Sequence, residues 1–355
     1  MKVIHLHSGK EGGAERFFVN LANSLHEMGV EQKFVIRPDS SRTTSMWHRE
    51  IEHCGEIIKD HNRWYSRPFL KRQVARMDAE FQPDAIMAWM PRASQLLPKK
   101  SAAMRITRLG DFPKKLSHFR NADVIVGNVH GILKRCKKLG RDWGLEYISN
   151  FPREVNLQPV TRVSLDTPDD AFVISSAGRF VSRKGMDLII RATAKLDNAW
   201  LWLVGAGELE DSLKSLAKEV GLDKRIRFLG WQKEPANYLT STDIFCMASR
   251  HEPLGNVVFE AWQLGLPVVS SNSNGPSEFM TDGVNGLVIE TVRKDDETVD
   301  MPNVVDDYAT AFERLRSDEK LRDHLVRGGS LKLEQDFSKS AITQKYMNLF
   351  SHKKT

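Results

Sequence analysis

The stretch His251-Glu252-Pro253-Leu254-Gly255-Asn256-Val257-Val258-Phe259-Glu260-Ala261-Trp262-Gln263-Leu264-Gly265-Leu266-Pro267-Val268-Val269-Ser270-Ser271 holds a loop, a helix, a stop and a strand in succession. Val257 to Leu264 is a helix-like run, Gly265-Leu266-Pro267 ends it, and Val268 to Ser271 reads as an apolar strand. A loop-to-helix junction offers backbone N–H groups and a positive dipole end to an anion. Pro253 supplies no N–H, so Leu254, Gly255 and Asn256 are the amides that can face it. Glu252 stands just before the helix and Glu260 projects from its second turn. Glutamates are common, and Glu260 could merely cap or solvate its helix. The arrangement also suits a phosphorylated ligand whose hydroxyls are gripped by carboxylates, a description that a nucleotide sugar meets.

The same alternation runs through the chain. Lys2–His7, Gln32–Ile36, Asp84–Trp89, Met104–Leu109 and Asp123–Gly127 read as strands, with helices over Ala14–Met28 and Val129–Lys138. The stretch Asn150–Asp170, with prolines at 152, 159 and 168, reads as a linker. The pattern then restarts with strands Ala171–Ser176, Ala199–Val204, Ile226–Leu229, Ile244–Met247 and Val268–Ser271. Helices Gly185–Leu196 and Leu209–Val220 lie between them, and Arg316–Gln335 and Lys339–Ser351 are terminal helices. Strands alternating with helices imply parallel βαβ units, hence two Rossmann-like, doubly wound domains. The expected division is 1–160, 161–335, and a C-terminal helix at 336–355 packing back on the first domain. Ligands of such folds bind at the carboxyl ends of the strands, here expected to line a cleft.

The bulk composition bounds the class. The chain has 355 residues, 41% hydrophobic and 28% charged, as in a soluble globular protein with room for two cores. No apolar run approaches the ~18 residues of a membrane span, and the opening strand leaves no signal peptide to expect. Cys54, Cys136 and Cys246 are too few and scattered for a disulfide framework or a zinc site, which fits a reducing, cytoplasmic setting. Charge is uneven: residues 60–145 carry 18 Lys/Arg against 7 Asp/Glu, an excess of 11 in a chain whose net charge is +6. The clusters are Arg63/Arg67/Lys71/Arg72/Arg76 with Trp64, Tyr65 and Phe69 interleaved, Lys99-Lys100, Lys114-Lys115, and Lys134-Arg135-Cys136-Lys137-Lys138. They read either as a solvated basic face or as a surface for an anionic membrane or acceptor. No nucleic-acid-binding module accompanies them, which argues against nucleic acid.

Three further motifs follow strand ends. Gly12-Gly13-Ala14-Glu15-Arg16 permits a tight turn and close approach of the backbone to a phosphate, though such turns are often only good loop geometry. In Gly178-Arg179-Phe180-Val181-Ser182-Arg183-Lys184-Gly185, a planar guanidinium and an ammonium suit a departing diphosphate; taken alone they are a pair of surface cations. Gly205-Ala206-Gly207 resembles the start of a dinucleotide fingerprint, but Glu210 stands where the third small residue should, so it reads as a strand-to-helix turn.

Together, GGAERF from Gly12, GRFVSRKG from Gly178, VGAGELED from Val204, FLGW from Phe228, EPLGNVVFEAWQLGLPVV from Glu252 and GPSEFMTDGVNGLVI from Gly275 resemble the retaining glycosyltransferases of family 4, which have the GT-B fold. The resemblance covers nearly the whole chain and is strongest from about Ser175 to Ile289. It implies that Gly12 and Gly13 let the backbone approach the donor diphosphate, that Arg179 and Lys184 neutralise it, and that Glu252 holds donor-sugar hydroxyls. It further implies that Leu254, Gly255 and Asn256 bind through backbone amides, that Glu260 accepts from the ribose hydroxyls, and that the loop at Trp231 lies by the base. The family's histidine near the donor sugar is missing from Arg108-Leu109-Gly110-Asp111-Phe112; Asp111, Arg108 and His130 are the candidates for its place. The segment Asn150-Phe151-Pro152-Arg153 likewise departs from the family's Asn-Gly-Val-Asp.

The expected function is transfer of a hexose from a nucleoside diphosphate sugar, with retention and without a metal or other cofactor, to a lipopolysaccharide core or other surface-glycan acceptor. An anionic glycolipid acceptor and peripheral contact with the inner face of the cytoplasmic membrane go with it. A sugar-nucleotide epimerase or phosphorylase is the alternative on the same fold. An NAD-linked oxidoreductase or a non-catalytic binding protein fits the motifs less well.

Overall fold

The computed structural model describes residues 1–9, 13–36, 46–59, 67–293 and 299–352. They form two compact units, one of Met1–Phe151 with Phe337–Thr355, the other of Pro152–Asp336.

In the first unit a seven-stranded parallel sheet comprises β1 (Lys2–His7), β2 (Glu31–Ile36), β3 (Gly55–Lys59), β4 (Ala85–Trp89), β5 (Met104–Leu109), β6 (Val124–Gly127) and β7 (Leu145–Tyr147). Their order is β3-β2-β1-β4-β5-β6-β7. Helices α1 (Gly13–Glu27), α2 (Arg67–Phe81), α3 (Met90–Ser94) and α4 (His130–Lys138) connect them. The central strands are buried on both faces, which is why β4 reads as an unbroken apolar run and β1 buries even His5 and His7. Helix α1 turns Phe17, Phe18, Leu21, Ala22 and Leu25 inward at helical spacing. Helix α2, absent from the sequence expectations, buries Leu70, Val74, Met77 and Phe81 in the same way.

The second unit repeats the scheme with β8 (Phe172–Ala177), β9 (Ala199–Val204), β10 (Ile226–Phe228), β11 (Ile244–Met247), β12 (Val268–Ser271) and β13 (Leu287–Ile289), in the order β10-β9-β8-β11-β12-β13. Its helices are α5 (Met186–Ala194), α6 (Glu210–Glu219), α7 (Ala236–Leu239), α8 (Asn256–Gln263), α9 (Pro276–Phe279), α10 (Val304–Ser317) and α11 (Glu319–Phe337). The core joins Ile174, Leu201, Leu203 and Ile244 of the strands to Ile189 of α5 and Tyr308 and Phe312 of α10. Residues 150–162 contain no helix or strand, and Pro152 onward belongs to this unit. Strand order reverses between β8 and β11, so the loops that leave these two strands diverge and open a crevice at their carboxyl ends.

The last helix, α12 (Lys339–Ser351), returns to the first unit. Ser338 caps it, accepting from the Ala341 amide at 3.4 Å. Ile342, Tyr346, Leu349 and Phe350 are buried in the first unit's core, each such side chain contributing about 1.5–3 kcal/mol. Thr343 shares a 2.7 Å hydrogen bond with Ser24, and Lys339 pairs with Glu27 at 2.7 Å, fastening α12 to α1.

Candidate functional site

The crevice of the second unit is built by loops that pack backbone on backbone. After β8 the chain passes Gly178 (φ +155°) and a 3-10 turn, Ser182–Lys184, to Gly185 (φ +65°), which starts α5. A Cβ on Gly185 would stand 2.0 Å from the Ala248 carbonyl oxygen in the loop after β11, so only glycine allows this approach. Gly205 and Gly207, after β9, are needed for a similar reason. Added Cβ atoms would meet the carbonyl oxygens of Gly178 and Phe180 at 1.9 and 2.5 Å. Their spacing is accounted for by packing and needs no dinucleotide.

This framework brings Lys184 to Glu252, 68 residues away. The Lys184 ammonium donates to Glu252 Oε2, with the side chains only 18% and 12% exposed, and the Ser249 hydroxyl approaches the same oxygen at 3.5 Å. The Glu252 carbonyl accepts from the Gly275 amide at 2.9 Å, which joins the loop after β12 to the site. Gly255, at φ +92°, turns the chain into α8. Leu254 and Gly255 are buried and Asn256, the first helical residue, is half-buried. The first turn of α8 thus starts beside a cation–carboxylate pair, which is a site for an anion carrying hydroxyls.

The remaining candidates of this unit lie as follows. Arg179 is exposed and, among the described residues, its side chain makes no hydrogen bond or ion pair. Glu260 is half-buried on the second turn of α8. Trp231 is 68% exposed, next to Gly230 (φ +66°), whose carbonyl accepts from the Gly205 amide at 2.8 Å. Sequence reading missed Arg250, which joins the Lys184 turn to the Glu252 loop. Its partners Asp187 and Asp300 are 63 and 50 positions away, so no local pattern announces them.

In the first unit, Gly12 lies outside the described residues, as do Arg63, Trp64 and Tyr65 of the basic cluster; Gly13 is exposed as the first residue of α1. Arg108 is not at a surface. It is 1% exposed, hydrogen-bonds Asn150 Oδ1, and lies 4.9 Å from the Phe17 ring centroid and 5.4 Å from that of Trp89. Burial lowers its pKa, opposed first by Tyr346 of α12. Arg108 thus packs among aromatic side chains, and its Nε has no hydrogen-bond partner among the described residues. Asp111 is exposed and accepts from the Phe112 amide at 2.8 Å. His130, exposed at the start of α4, stacks on Tyr147 with centroids 4.0 Å apart. All three cysteines are buried and free. Among the described residues no group of His, Cys, Asp and Glu side chains is placed to hold a metal ion, and no helix is long and apolar enough to cross a membrane.

A family model described as "Glycosyl transferases group 1" matches residues 158–330, which include every loop of the Lys184–Glu252 site. The lipopolysaccharide core biosynthesis glycosyltransferase LpsE of Rhizobium meliloti is 44% identical over 355 residues, spanning 99% of this chain and 100% of its own. LpsD of the same organism, with the same description, is 43% identical over 352 residues, at 99% and 98%. Among solved structures, Anabaena HepE in complex with UDP and glucose superposes with a TM-score of 0.78 at 21% identity over 99% of both chains. WaaG, a glycosyltransferase involved in lipopolysaccharide biosynthesis, does so at 0.67 and 15% over 99% of this chain and 100% of its own. Those two identities are low enough to speak for the fold alone, which is GT-B. Whole-length identity above two-fifths settles the rest: the chain belongs to the glycosyl transferases group 1 family and is a glycosyltransferase.

Proposed function

We propose that the protein is a retaining glycosyltransferase of family 4 that moves a hexose from a nucleoside diphosphate sugar to an acceptor of lipopolysaccharide core assembly. The observation that carries this is the Lys184–Glu252 pair beside the first turn of α8, at the point where the sheet order reverses. In this reading the diphosphate lies against the amides of Leu254, Gly255 and Asn256, with Lys184 and Arg179 neutralising it. Glu252 accepts from hydroxyls of the sugar and Glu260 from those of the ribose, and the Trp231 loop borders the base. Similarity to HepE, whose structure holds UDP and glucose, and to LpsE and LpsD supports the donor class and the acceptor class.

The reaction follows from the charges. The bond from the anomeric carbon to the leaving phosphate oxygen breaks, and the acceptor oxygen bonds to the same face of the sugar. Its proton goes to the departing phosphate. Negative charge grows on that phosphate, and two cations with a helix N-terminus oppose it in a partly desolvated site. These groups do what a divalent cation would otherwise do, so metal-independent transfer is part of the proposal.

Asp111 and His130 are the positions proposed to meet the acceptor. Peripheral contact with an anionic membrane on its cytoplasmic face is proposed through α4 and its surroundings. Lys114, Lys115, Arg120, Lys134, Lys137 and Lys138 are exposed there, and Arg135 Nε donates to the Pro113 carbonyl at 3.2 Å, joining two of these clusters. Trp143, 58% exposed, adds an amphipathic ring beside them.

The test is a thermal-shift screen of UDP-, GDP- and ADP-sugars, followed by nucleoside diphosphate release with and without lipopolysaccharide core acceptor. A donor at 100 times its Kd adds about 2.7 kcal/mol to stability and raises Tm. Release that depends on acceptor is expected; epimerisation of the donor without acceptor would point instead to the alternative.

A further inference from the structure

Arg250, two residues before Glu252, is bound on three sides. Its Nη1 and Nη2 donate to Asp187 Oδ1 and Oδ2 at 2.9 and 2.7 Å, and its Nε and Nη2 donate to Asp300 Oδ1 and Oδ2 at 2.7 Å each. Nη1 also donates to the Ser182 carbonyl at 2.8 Å. The backbone repeats the link, since the amides of Arg250 and His251 approach the Arg183 carbonyl at 2.8 and 3.4 Å. The side chain is 12% exposed. Asp187 foremost raises its pKa above the ordinary arginine value, against the opposing effect of burial and with Asp300 adding to the rise.

Each partner belongs to a different piece of the site's frame. Ser182 opens the turn that ends at Lys184, Asp187 is in the first turn of α5, and Asp300 bridges to Val292 beyond β13. A guanidinium has its donors in one rigid plane and can hold two carboxylates and a carbonyl at once. The two aspartates orient the fork, and the fork holds the turn.

We infer that Arg250 is a positioning residue for sugar transfer, fixing the Ser182–Lys184 turn so that the Lys184 ammonium stays beside Glu252. This rests on the glycosyltransferase reading of that pair. Arg250 does not touch the donor; it sets where the cation that touches the donor stands. A displacement of about 1 Å at such a group costs on the order of a hundredfold in rate.

The experiment compares Arg250→Lys, Arg250→Met and the triple variant Arg250→Met/Asp187→Asn/Asp300→Asn. Readouts are kcat and KM for whichever of UDP-glucose and GDP-mannose the wild type turns over, and Tm. Arg250→Met is expected to lose about a hundredfold in kcat and Arg250→Lys about tenfold, with KM moving less than about threefold. The triple variant, free of the uncompensated aspartates, is expected to recover the Tm that Arg250→Met loses, and to stay slow. Recovery of kcat along with Tm would show that Arg250 only balances charge, and would overturn the inference. So would a folded Arg250→Met with kcat within about threefold of wild type. If Lys184→Met loses turnover and Arg250→Met does not, the positioning role alone fails. If the wild type turns over none of the UDP-, GDP- and ADP-sugars of the screen with acceptor present, both readings fall.

Discussion

Replacing Lys184 by Met removes one charge from the site while keeping most of the side chain's length, and its two consequences can be sized separately. In the resting protein the ammonium faces Glu252, with both side chains less than one-fifth exposed. Without it the carboxylate keeps the Ser249 hydroxyl at 3.5 Å, a poor replacement, and the expected loss of stability is about 1–3 kcal/mol. That leaves a domain of ordinary stability, about 5–15 kcal/mol, largely folded. In the reaction, the ammonium's attraction for a unit charge at ~4 Å is about 4 kcal/mol at the effective dielectric of a protein surface. Removing one preorganised charge-stabilising donor costs about 100- to 1000-fold in kcat.

The second effect dominates any assay run well below Tm. Nucleoside diphosphate release should therefore fall at least a hundredfold in a variant whose Tm is lowered by only a few degrees. The donor's KM should rise far less, because the diphosphate carries less charge in the ground state than when it leaves. The double variant Lys184→Met/Glu252→Gln separates the causes. It removes the uncompensated carboxylate, so Tm should return while kcat stays low. A folded Lys184→Met with kcat within about threefold of wild type would refute the assignment of Lys184 to the leaving group.

Three other outcomes are expected. His5, buried between Phe18 and Phe34 and bonded to Gln32, has its pKa lowered by burial from 6.5 to about 4. The unfolded chain thus takes a proton that the folded chain refuses, so the first unit should lose up to about 3 kcal/mol of stability as pH falls from 6.5 to about 4; urea unfolding of the wild type and of His5→Phe at pH 7 and pH 5, followed by circular dichroism, checks the sign, and a gain at pH 5 for the wild type relative to His5→Phe would contradict it. In Gly275→Ala, the new Cβ would stand 2.3 Å from the Leu254 carbonyl oxygen and 2.4 Å from its Cα; since backbone cannot yield cheaply, a loss of about 1–3 kcal/mol and weaker donor binding should appear together in thermal shift and titration. Lys137→Glu/Lys138→Glu on α4 leaves the buried Ile132 and Cys136 untouched and should weaken sedimentation with phosphatidylglycerol vesicles at least tenfold, at about 1 kcal/mol per lost cation; equal sedimentation with phosphatidylcholine vesicles would defeat the membrane proposal.

Strands buried on both faces were the most legible feature, because a parallel sheet writes itself as short apolar runs. Ala199–Val204, Ile244–Met247 and Val268–Ser271 are found where the residues alone place them, and so is Met104–Leu109 despite its two arginines. Missed elements have diluted signals. β3, Gly-Glu-Ile-Ile-Lys, is an edge strand of five residues, and α10 buries Val304, Tyr308, Ala311, Phe312 and Leu315 between charged neighbours. The helix read across Arg316–Gln335 breaks at Asp318, whose carboxylate accepts from the Leu321 amide at 2.9 Å and restarts the chain as α11. Motif residues that touch through the backbone were readable as motifs. Contacts made by side chains from distant segments, such as Arg250 to Asp187 and Asp300, and the burial of Arg108 under Phe17 and Trp89, depend on folding that no local window contains.

The two units share one topology, which makes their difference informative. Each sheet reverses its order beside its first strand, at β1/β4 in one and β8/β11 in the other, so each has the same opportunity to bind a ligand there. In the first unit that opportunity is taken up internally. His7 ends β1 and Trp89 ends β4, both at 1% exposure, and with Phe18 and Arg108 they form a packed aromatic and cationic core. In the second unit the corresponding loops bring Gly185, Gly205 and Gly207 against backbone carbonyls and set Lys184 against Glu252. Glycine at such positions costs conformational entropy and adds no packing, so a frame built on it is a frame for close approach. Fold alone does not assign a function. The contrast between a filled reversal point and one left to a cation, a carboxylate and a helix start is the reason we propose the donor site in the second unit.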